Sequence, residues 1–137
     1  MIIVLDTNVF ISAIIRDSST RRLIIESKYV LLFPENIFQE IRKHKKEIIN
    51  KAGFSEEEYD KLIAKILNYV HVIPEELIVF KKEEAYNLIK DIDLDDILFF
   101  ATALTFKDSI IWSDDKKLKK QNKIKVLNTK EIIEIFK

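Results

Sequence analysis

The chain has 137 residues, of which 47% are hydrophobic and 34% are charged, and it contains one glycine and no cysteine. This composition excludes disordered, collagen-like and low-complexity proteins, and the length suits one domain with its own core. The absence of cysteine excludes a disulfide framework and a thiolate metal site. We therefore expect a single domain over residues 1–137 with one site.

The formal net charge is zero, but the two signs of charge are segregated along the chain. Residues 116–137 carry eight lysines against two glutamates, whereas residues 75–96 carry eight acids against three lysines. A basic surface suits a polyanion and an acidic one suits a cation, although a solvated face is the commoner explanation of a single run. The opening apolar run lacks a basic leader and no later stretch approaches eighteen apolar residues, so we expect a cytoplasmic protein without a membrane span.

Short apolar runs alternate with helical patterns along the whole chain. The apolar runs predict strands at residues 2–5, 30–33, 70–73, 109–112 and 125–127. Helices are predicted at residues 9–15, from the polar break at 16–20 to about 28, at 35–51, after Ser55, at 75–90 as one or two helices, at 97–104 and after Asn128. Such alternation is typical of βαβ units and predicts an α/β protein with a mostly parallel sheet.

Several common kinds of site are excluded by what the sequence lacks. The only glycine is Gly53, so no glycine-rich phosphate loop is present. His44 and His71 are too far apart for a helical pair of zinc ligands. No nucleophile elbow of a serine hydrolase is found.

Carboxylates follow or open several of the predicted elements. Asp6 follows the first strand, Asp114 and Asp115 follow the fourth, and Asp96 opens the apolar helix at 97–104. Glu40 lies about one turn into its helix. In a parallel sheet the strand ends share one edge, which is where ligands bind in such folds. We expect four of these acids to converge there.

A cation would make this convergence physically reasonable. Two carboxylates about 5 Å apart repel each other by about 3 kcal/mol at an effective dielectric near 20. Mg²⁺ or Mn²⁺ prefers oxygen ligands, removes this repulsion and leaves coordination positions for phosphate oxygens. The acids therefore favour a divalent-ion site suited to phosphodiester hydrolysis.

Four pieces of the sequence, in this order, resemble the PIN-domain family. They are IVLDTNVF from residue 3, Glu40, DILFFATA from residue 96 and IWSDDKKL from residue 111. The resemblance covers essentially the whole chain and implies a three-layer α/β/α sandwich with a mostly parallel central sheet of four or five strands. It further implies a metal-dependent ribonuclease that prefers single strands, most often the toxin of a VapBC-type pair with an antitoxin partner. A homodimer is also implied.

The same resemblance assigns roles to individual residues. Asp6, Glu40, Asp96 and Asp115 match the catalytic, metal-binding acids of the family. Residues expected to orient these ligands are Thr7, Asn8 and Ser113. Independently of the resemblance, an Asp6 that binds a cation leaves Thr7 or Asn8 as the predicted cap of the first helix.

Neighbouring acids compete for two of these assignments. Asp114 is the alternative to Asp115, and Asp93 and Asp95 are alternatives to Asp96, since acids at a helix start are often caps. Lysines beside Asp115 are expected to hold an RNA backbone, unless they form a plain solvated face. These lysines are Lys116, Lys117, Lys119 and Lys120.

Two alternative functions keep the fold but change the role: an RNA-processing PIN nuclease outside any toxin pair, and a non-catalytic PIN-like module that binds RNA or protein. A phospho-receiver regulator fits less well, because no acidic pair follows the first strand and no phosphoacceptor Asp ends a middle strand.

Overall fold

The computed structural model describes residues 1–15 and 18–137. The strands are β1 (Ile2–Leu5), β2 (Val30–Pro34), β3 (Val70–Ile73), β4 (Ser109–Trp112) and β5 (Val126–Leu127). The α-helices are α1 (Thr7–Ile14), α2 (Ser19–Glu26), α3 (Glu35–Lys43), α4 (Lys45–Ala52), α5 (Glu56–Ile66), α6 (Glu75–Ile78), α7 (Lys82–Ile89), α8 (Ile97–Thr105) and α9 (Thr129–Phe136). Short 3₁₀ helices cover Val79–Lys81, Leu94–Asp96 and Lys116–Lys120.

Within the described residues, the strands form one five-stranded sheet in the order β3-β2-β1-β4-β5, and every neighbouring pair is parallel. The predicted parallel sheet of four or five strands is therefore confirmed. The chain runs outward from β1 to β3 and then returns to β4 on the other side of β1. Such a reversal of strand order opens a crevice beyond the carboxyl ends of the two central strands.

Helices cover both faces of this sheet, as the predicted three-layer sandwich requires. On one face α1 contacts α2 and α5, and α2 contacts α9. On the other face α8 contacts β1, β2 and β4, and it also packs against α6 and α7. This division is what the usual right-handed crossover between parallel strands predicts for a sheet whose strand order reverses. The apolar sequence of α8 follows from its burial, because five of its nine residues are buried.

The core is continuous up to the carboxyl edge of the sheet. Ile3, Val4 and Leu5 have no exposed surface, as expected for a central strand covered on both faces. Near the edge, the rings of Phe10 and Phe33 stack with their centroids 4.4 Å apart. The ends of β1 and β2 are thereby held in a packed and rigid environment.

The structure differs from the predicted elements in a few places. The helix predicted at 35–51 is two helices, α3 and α4, because His44 leaves the helical conformation with φ −100° and ψ 19°. Of the one or two helices predicted at 75–90, the structure has two, α6 and α7, separated by a 3₁₀ turn, and the last strand is limited to Val126–Leu127. Within the polar break predicted at 16–20, residues 16 and 17 lie outside the described residues.

No helix in residues 1–15 or 18–137 combines the length and the apolar character needed to cross a membrane.

Candidate metal centre

Asp6 lies at the centre of the crevice, directly after β1. Its backbone N–H donates to the carbonyl of Trp112 at 3.2 Å, which continues the β1–β4 pairing by one residue. Its side chain is 5% exposed, and Oδ1 accepts a hydrogen bond from the Val9 N–H at 2.8 Å. Asp6 is therefore the cap of α1. The assignment of this cap to Thr7 or Asn8 is wrong, because Thr7 is already the first residue of the helix.

The surroundings of Asp6 shift the pKa of its side chain in opposite directions. Burial raises the pKa of Asp6 above its usual value, and the hydrogen bonds from Ser113 and from the Val9 N–H counteract this rise. The negative charges of Asp114 and Asp115 raise the pKa further. Ser113 is itself buried, so its hydroxyl is fixed beside Asp6. Asp6 thus contributes a fixed carboxylate that lies close to other acids.

Three other carboxylates come together at the same edge. Oxygen atoms of Asp93, Asp96 and Asp115 all lie within 4.8 Å of one another. The pKa of Asp96 is raised to about 7, first by burial and then by the charges of Asp93, Asp6 and Asp115. Asp96 makes no hydrogen bond that caps α8. We call Asp93, Asp96 and Asp115 the acid cluster.

Turns position the other two members of the acid cluster. Asp93 accepts a hydrogen bond from the Asp95 N–H at 3.0 Å, and its second oxygen lies 3.5 Å from Lys117 Nζ. Asp115 accepts a bond from the Lys117 N–H at 3.0 Å and donates its own N–H to Ser113 Oγ at 3.1 Å. Asp95 is exposed and does not belong to the cluster.

Asp114, the alternative to Asp115, has different partners. Its two carboxylate oxygens accept hydrogen bonds from the backbone N–H and the hydroxyl of Thr129, at 2.7 Å and 2.8 Å. Asp114 is exposed and does not belong to the acid cluster. Sequence reasoning gave Thr129 no role. One feature of the sequence could have indicated this role: the indole N–H of Trp112, which is buried at the end of β4, needs a hydrogen-bond acceptor.

Glu40 is set apart from the acid cluster. Its side chain is 61% exposed and lies 3.5 Å from Lys43 Nζ. It lines a groove of about 440 Å³ between α1, α3 and α4, to which Thr7 also contributes. We call this the α1–α4 groove; its apolar lining consists of Ile11, Ile15, Ile41, Ile48 and Ala52. The structure thus brings Asp96 and Asp115 together, with Asp6 adjoining them, and leaves Glu40 on a neighbouring wall.

The remaining predicted residues surround these groups. Asn8 is exposed on the first turn of α1. The predicted lysines lie on the 3₁₀ helix Lys116–Lys120, which begins directly after Asp115. Lys117 pairs with Asp93 and Lys119 pairs with Glu131. Within the described part of the chain, Lys116 and Lys120 are exposed and have no ion-pair partner.

The fold and these side chains define an α/β protein with an acid-lined crevice at the strand-order reversal of a parallel sheet. The sequence profile described as the PIN domain matches residues 4–134, and the chain belongs to this family. No curated protein matches the chain. The crystal structure of VapBC2 from Rickettsia felis bound to a DNA fragment from their promoter contains a chain that aligns with a TM-score of 0.70. The identity is 16%, over 93% of this chain and 98% of that one, so the likeness concerns the fold.

Proposed function

We propose that this protein is an endoribonuclease that hydrolyses RNA phosphodiesters and depends on Mg²⁺ or Mn²⁺. The observation that carries the proposal is the acid cluster, whose oxygen atoms lie within 4.8 Å of one another. This is an all-oxygen donor set, which suits a hard divalent cation. The raised pKa of Asp96 is consistent with a cation site, because burial first and the charges of neighbouring acids second disfavour a bare carboxylate there, and a positive ion would favour it. Membership of the PIN family supports nuclease chemistry.

In this proposal, each part of the crevice has a distinct task. Asp96 and Asp115, with Asp93 or Asp6, would hold the ion. A bound ion would neutralise these acids and stabilise the negative charge that develops on the phosphate oxygens. The Asp6 carboxylate is held in place by hydrogen bonds from the Val9 N–H and from Ser113. It would therefore restrict the position of a bound ion.

The surroundings of the cluster would place the substrate. Lys116 and Lys120 are exposed beside Asp115 and can bind the phosphates that flank the scissile bond. Glu40 and Thr7 lie on the wall of the α1–α4 groove, and from there Glu40 can contact the same RNA substrate from one side.

Mn²⁺ binding and RNA cleavage by single carboxamide variants test this function. Asp96→Asn and Asp6→Asn should each reduce Mn²⁺ affinity and cleavage of a single-stranded RNA by about 100-fold or more, as expected when a group at the ion is lost. Asp95→Asn is the matched control, because Asp95 is adjacent but outside the cluster, and it should retain both activities. Calorimetry and a fluorogenic RNA would measure the two effects.

Absence of ion binding by the unaltered protein would contradict the proposal and favour a non-catalytic RNA- or protein-binding module. Full cleavage by Asp96→Asn would likewise contradict it.

We further propose that the protein is the toxin of a VapBC-type pair and that it functions in the cytoplasm. The similar fold in the VapBC2 structure supports this role. The α1–α4 groove adds support, because a groove of about 440 Å³ that is lined mainly by apolar side chains beside Thr7 and Glu40 suits apolar side chains of an antitoxin. The test is whether the protein encoded immediately upstream forms a complex with this chain and suppresses its cleavage of RNA. No such neighbour, together with cleavage that leaves growth unaffected, would indicate an RNA-processing nuclease instead.

We also propose a homodimer. Several large apolar side chains are exposed on the segment from α6 to the acid cluster, and we call this set the α6–α7 apolar surface. It consists of Leu77, Val79, Phe80, Tyr86 and Leu94. Phe80 is 87% exposed, which is unfavourable for an aromatic side chain unless another surface covers it. A second copy of the chain is the partner that this proposal assigns to it.

A further inference from the structure

Asp114 is adjacent to Asp115 in sequence but is bound to a different part of the molecule. One oxygen accepts the backbone N–H of Thr129 at 2.7 Å, and the other accepts the Thr129 hydroxyl at 2.8 Å. Thr129 is the first residue of α9. Both carboxylate oxygens therefore connect the turn after β4 with the start of the C-terminal helix.

The direction of the hydrogen bonds at Thr129 is determined by its other neighbour. The indole Nε1–H of Trp112 lies 2.9 Å from Thr129 Oγ1, and an indole can only donate. Thr129 Oγ1 must therefore accept from Trp112 and give its own hydrogen to Asp114. Trp112 is fully buried as the last residue of β4. The resulting chain of hydrogen bonds runs from Trp112 through Thr129 to Asp114. Each of its donors has an acceptor, and it begins at a side chain in the core.

This chain of hydrogen bonds holds the turn 113–115, which carries two side chains of the candidate metal site. Ser113 and Asp115 lie on either side of Asp114, and they are joined by the bond from the Asp115 N–H to Ser113 Oγ. Ser113 hydrogen-bonds Asp6, and Asp115 belongs to the acid cluster. The Ser113 N–H also donates to the carbonyl of Leu127, the last residue of β5, which only Asn128 separates from α9. The position of α9 thus helps to determine where Ser113 and Asp115 lie.

We propose that Asp114 is a positioning residue, which fastens the turn 113–115 to α9 through Thr129 and so holds Asp115 in place for the cation. This inference rests on the proposed cation-dependent function. The competing role is that Asp114 is itself a ligand of the ion. In that case Asp114 would have to release Thr129 in order to bind the ion, so the two roles predict opposite effects when Thr129 is altered.

Substitutions at Thr129 and Asp114 distinguish the two roles. Thr129→Val removes the hydroxyl, and with it the hydrogen bond to Asp114, with little change of shape and without replacing any carboxylate residue. If Asp114 positions the turn, Thr129→Val and Asp114→Ala should each weaken Mn²⁺ binding by about 10-fold, the usual effect of losing a group that orients a metal ligand. Cleavage at saturating Mg²⁺ should recover to within about 3-fold, because the chemical groups remain.

Conservative variants provide the matched controls. Thr129→Ser keeps the hydroxyl and should bind Mn²⁺ as the unaltered protein does. Asp114→Asn keeps an oxygen for the Thr129 N–H but loses the charge, and it should bind more tightly than Asp114→Ala. The fluorescence of Trp112, the only tryptophan, should shift in Thr129→Val and not in Thr129→Ser. This signal reports directly on the indole hydrogen bond, while thermal unfolding checks that each variant is folded.

Two outcomes would overturn the inference. If Asp114 is a ligand, Asp114→Asn should be as damaging as Asp114→Ala, and Thr129→Val should bind Mn²⁺ equally well or more tightly because the carboxylate is released. Should Thr129→Val fail to fold, the comparison of Asp114→Asn with Asp114→Ala at this exposed position still decides. Failure of the unaltered protein to bind Mn²⁺ would instead contradict the proposed function.

Discussion

Asp96 is partly buried at the end of a 3₁₀ helix, and its pKa of about 7 follows first from loss of water and then from the charges of Asp93, Asp6 and Asp115. An ordinary aspartate, as in the unfolded chain, has a pKa of 3.8. The folded, ion-free protein therefore holds a proton more tightly than the unfolded chain does. Protonation of Asp96 stabilises the fold, and this contribution is complete below about pH 4 and is lost as the pH rises through about 7.

The ion-free protein should accordingly become less stable between pH 5 and pH 8. The raised pKa of Asp6 acts in the same direction. Asp96→Asn, which carries no charge at any pH, should reduce this dependence, and saturating Mg²⁺ should reduce it in the unaltered protein. Thermal unfolding in the presence of a chelator, compared with unfolding in Mg²⁺, measures both effects. A Tm that rises from pH 5 to pH 8 in the ion-free protein would contradict the assignment.

Single-residue roles were only partly predictable from the sequence. The strand ends predicted Asp6 and the pair Asp114 and Asp115 as candidates, because an acid that follows an apolar strand is conspicuous, and the family resemblance favoured Asp115 within that pair. Asp93 was harder to place, since a carboxylate three residues before Asp96 is as typical of a cap as of a ligand; in the structure it is both a cap and a member of the acid cluster. The role of Thr129 depends on how α9 docks, which no local pattern encodes.

The end of α4 depends on a backbone conformation that favours glycine. Gly53 has φ +72°, in the left-handed region, and a Cβ built there would meet no atom within 4 Å. Gly53→Ala should therefore lower the free energy of unfolding by about 1 kcal/mol through backbone strain alone. Gly53→Asn should cost less, because asparagine tolerates this region better. Urea unfolding measures both, and an alanine variant as stable as the unaltered protein would contradict the prediction.

The lysines of the 3₁₀ helix Lys116–Lys120 should contribute unequally to RNA binding. Lys116 and Lys120 have no ion-pair partner among the described residues, whereas Lys119 pairs with Glu131. Lys116→Ala and Lys120→Ala should each lower the salt dependence of RNA affinity by about one unit of slope. Lys119→Ala is the control and should have a smaller effect. Fluorescence anisotropy with single-stranded RNA and a chelator measures binding without cleavage, and equal slopes for all variants would contradict a phosphate-binding role.

Hydrophobic periodicity predicted the strands closely but missed a break between helices. The apolar positions Ile37, Ile41, Ile48 and Ile49 continue in a helical pattern across residue 44, so the sequence predicts one helix over 35–51. The structure bends at His44, where the backbone N–H donates to the Ile41 carbonyl at 3.0 Å. A pattern of buried residues indicates which face is covered, and it says little about a local change of φ and ψ on the exposed side.

At the scale of the whole molecule, the α6–α7 apolar surface should control association. Phe80→Asp should weaken the proposed homodimer by about 10-fold or more, because exposed aromatic side chains often dominate interfaces. Tyr69→Asp is the matched control, since Tyr69 is also an exposed aromatic residue but lies outside this surface. Sedimentation velocity over a concentration series measures the association. An unaltered protein that stays monomeric at every concentration would contradict the proposal.

The convergence of distant acids followed from topology. Once a parallel sheet was predicted, the ends of β1 and β4 had to share an edge, and the acids after them came within reach of each other. The sequence did not reveal that Glu40 would lie on a separate wall. Its position depends on the angle at which α3 leaves β2, and that angle is determined by tertiary packing.

The pairing of β1 with β4 also has a consequence for how the protein is made. Leu5 lies opposite Trp112, so the centre of the sheet joins an early segment to a late one. A chain growing on the ribosome can form β1, β2 and β3 in turn, but it has no acid cluster until β4 and the turn after it have been synthesised. For a protein proposed to cut RNA, this order of events would keep the nascent chain inert while most of it is being synthesised on the ribosome that translates its messenger RNA.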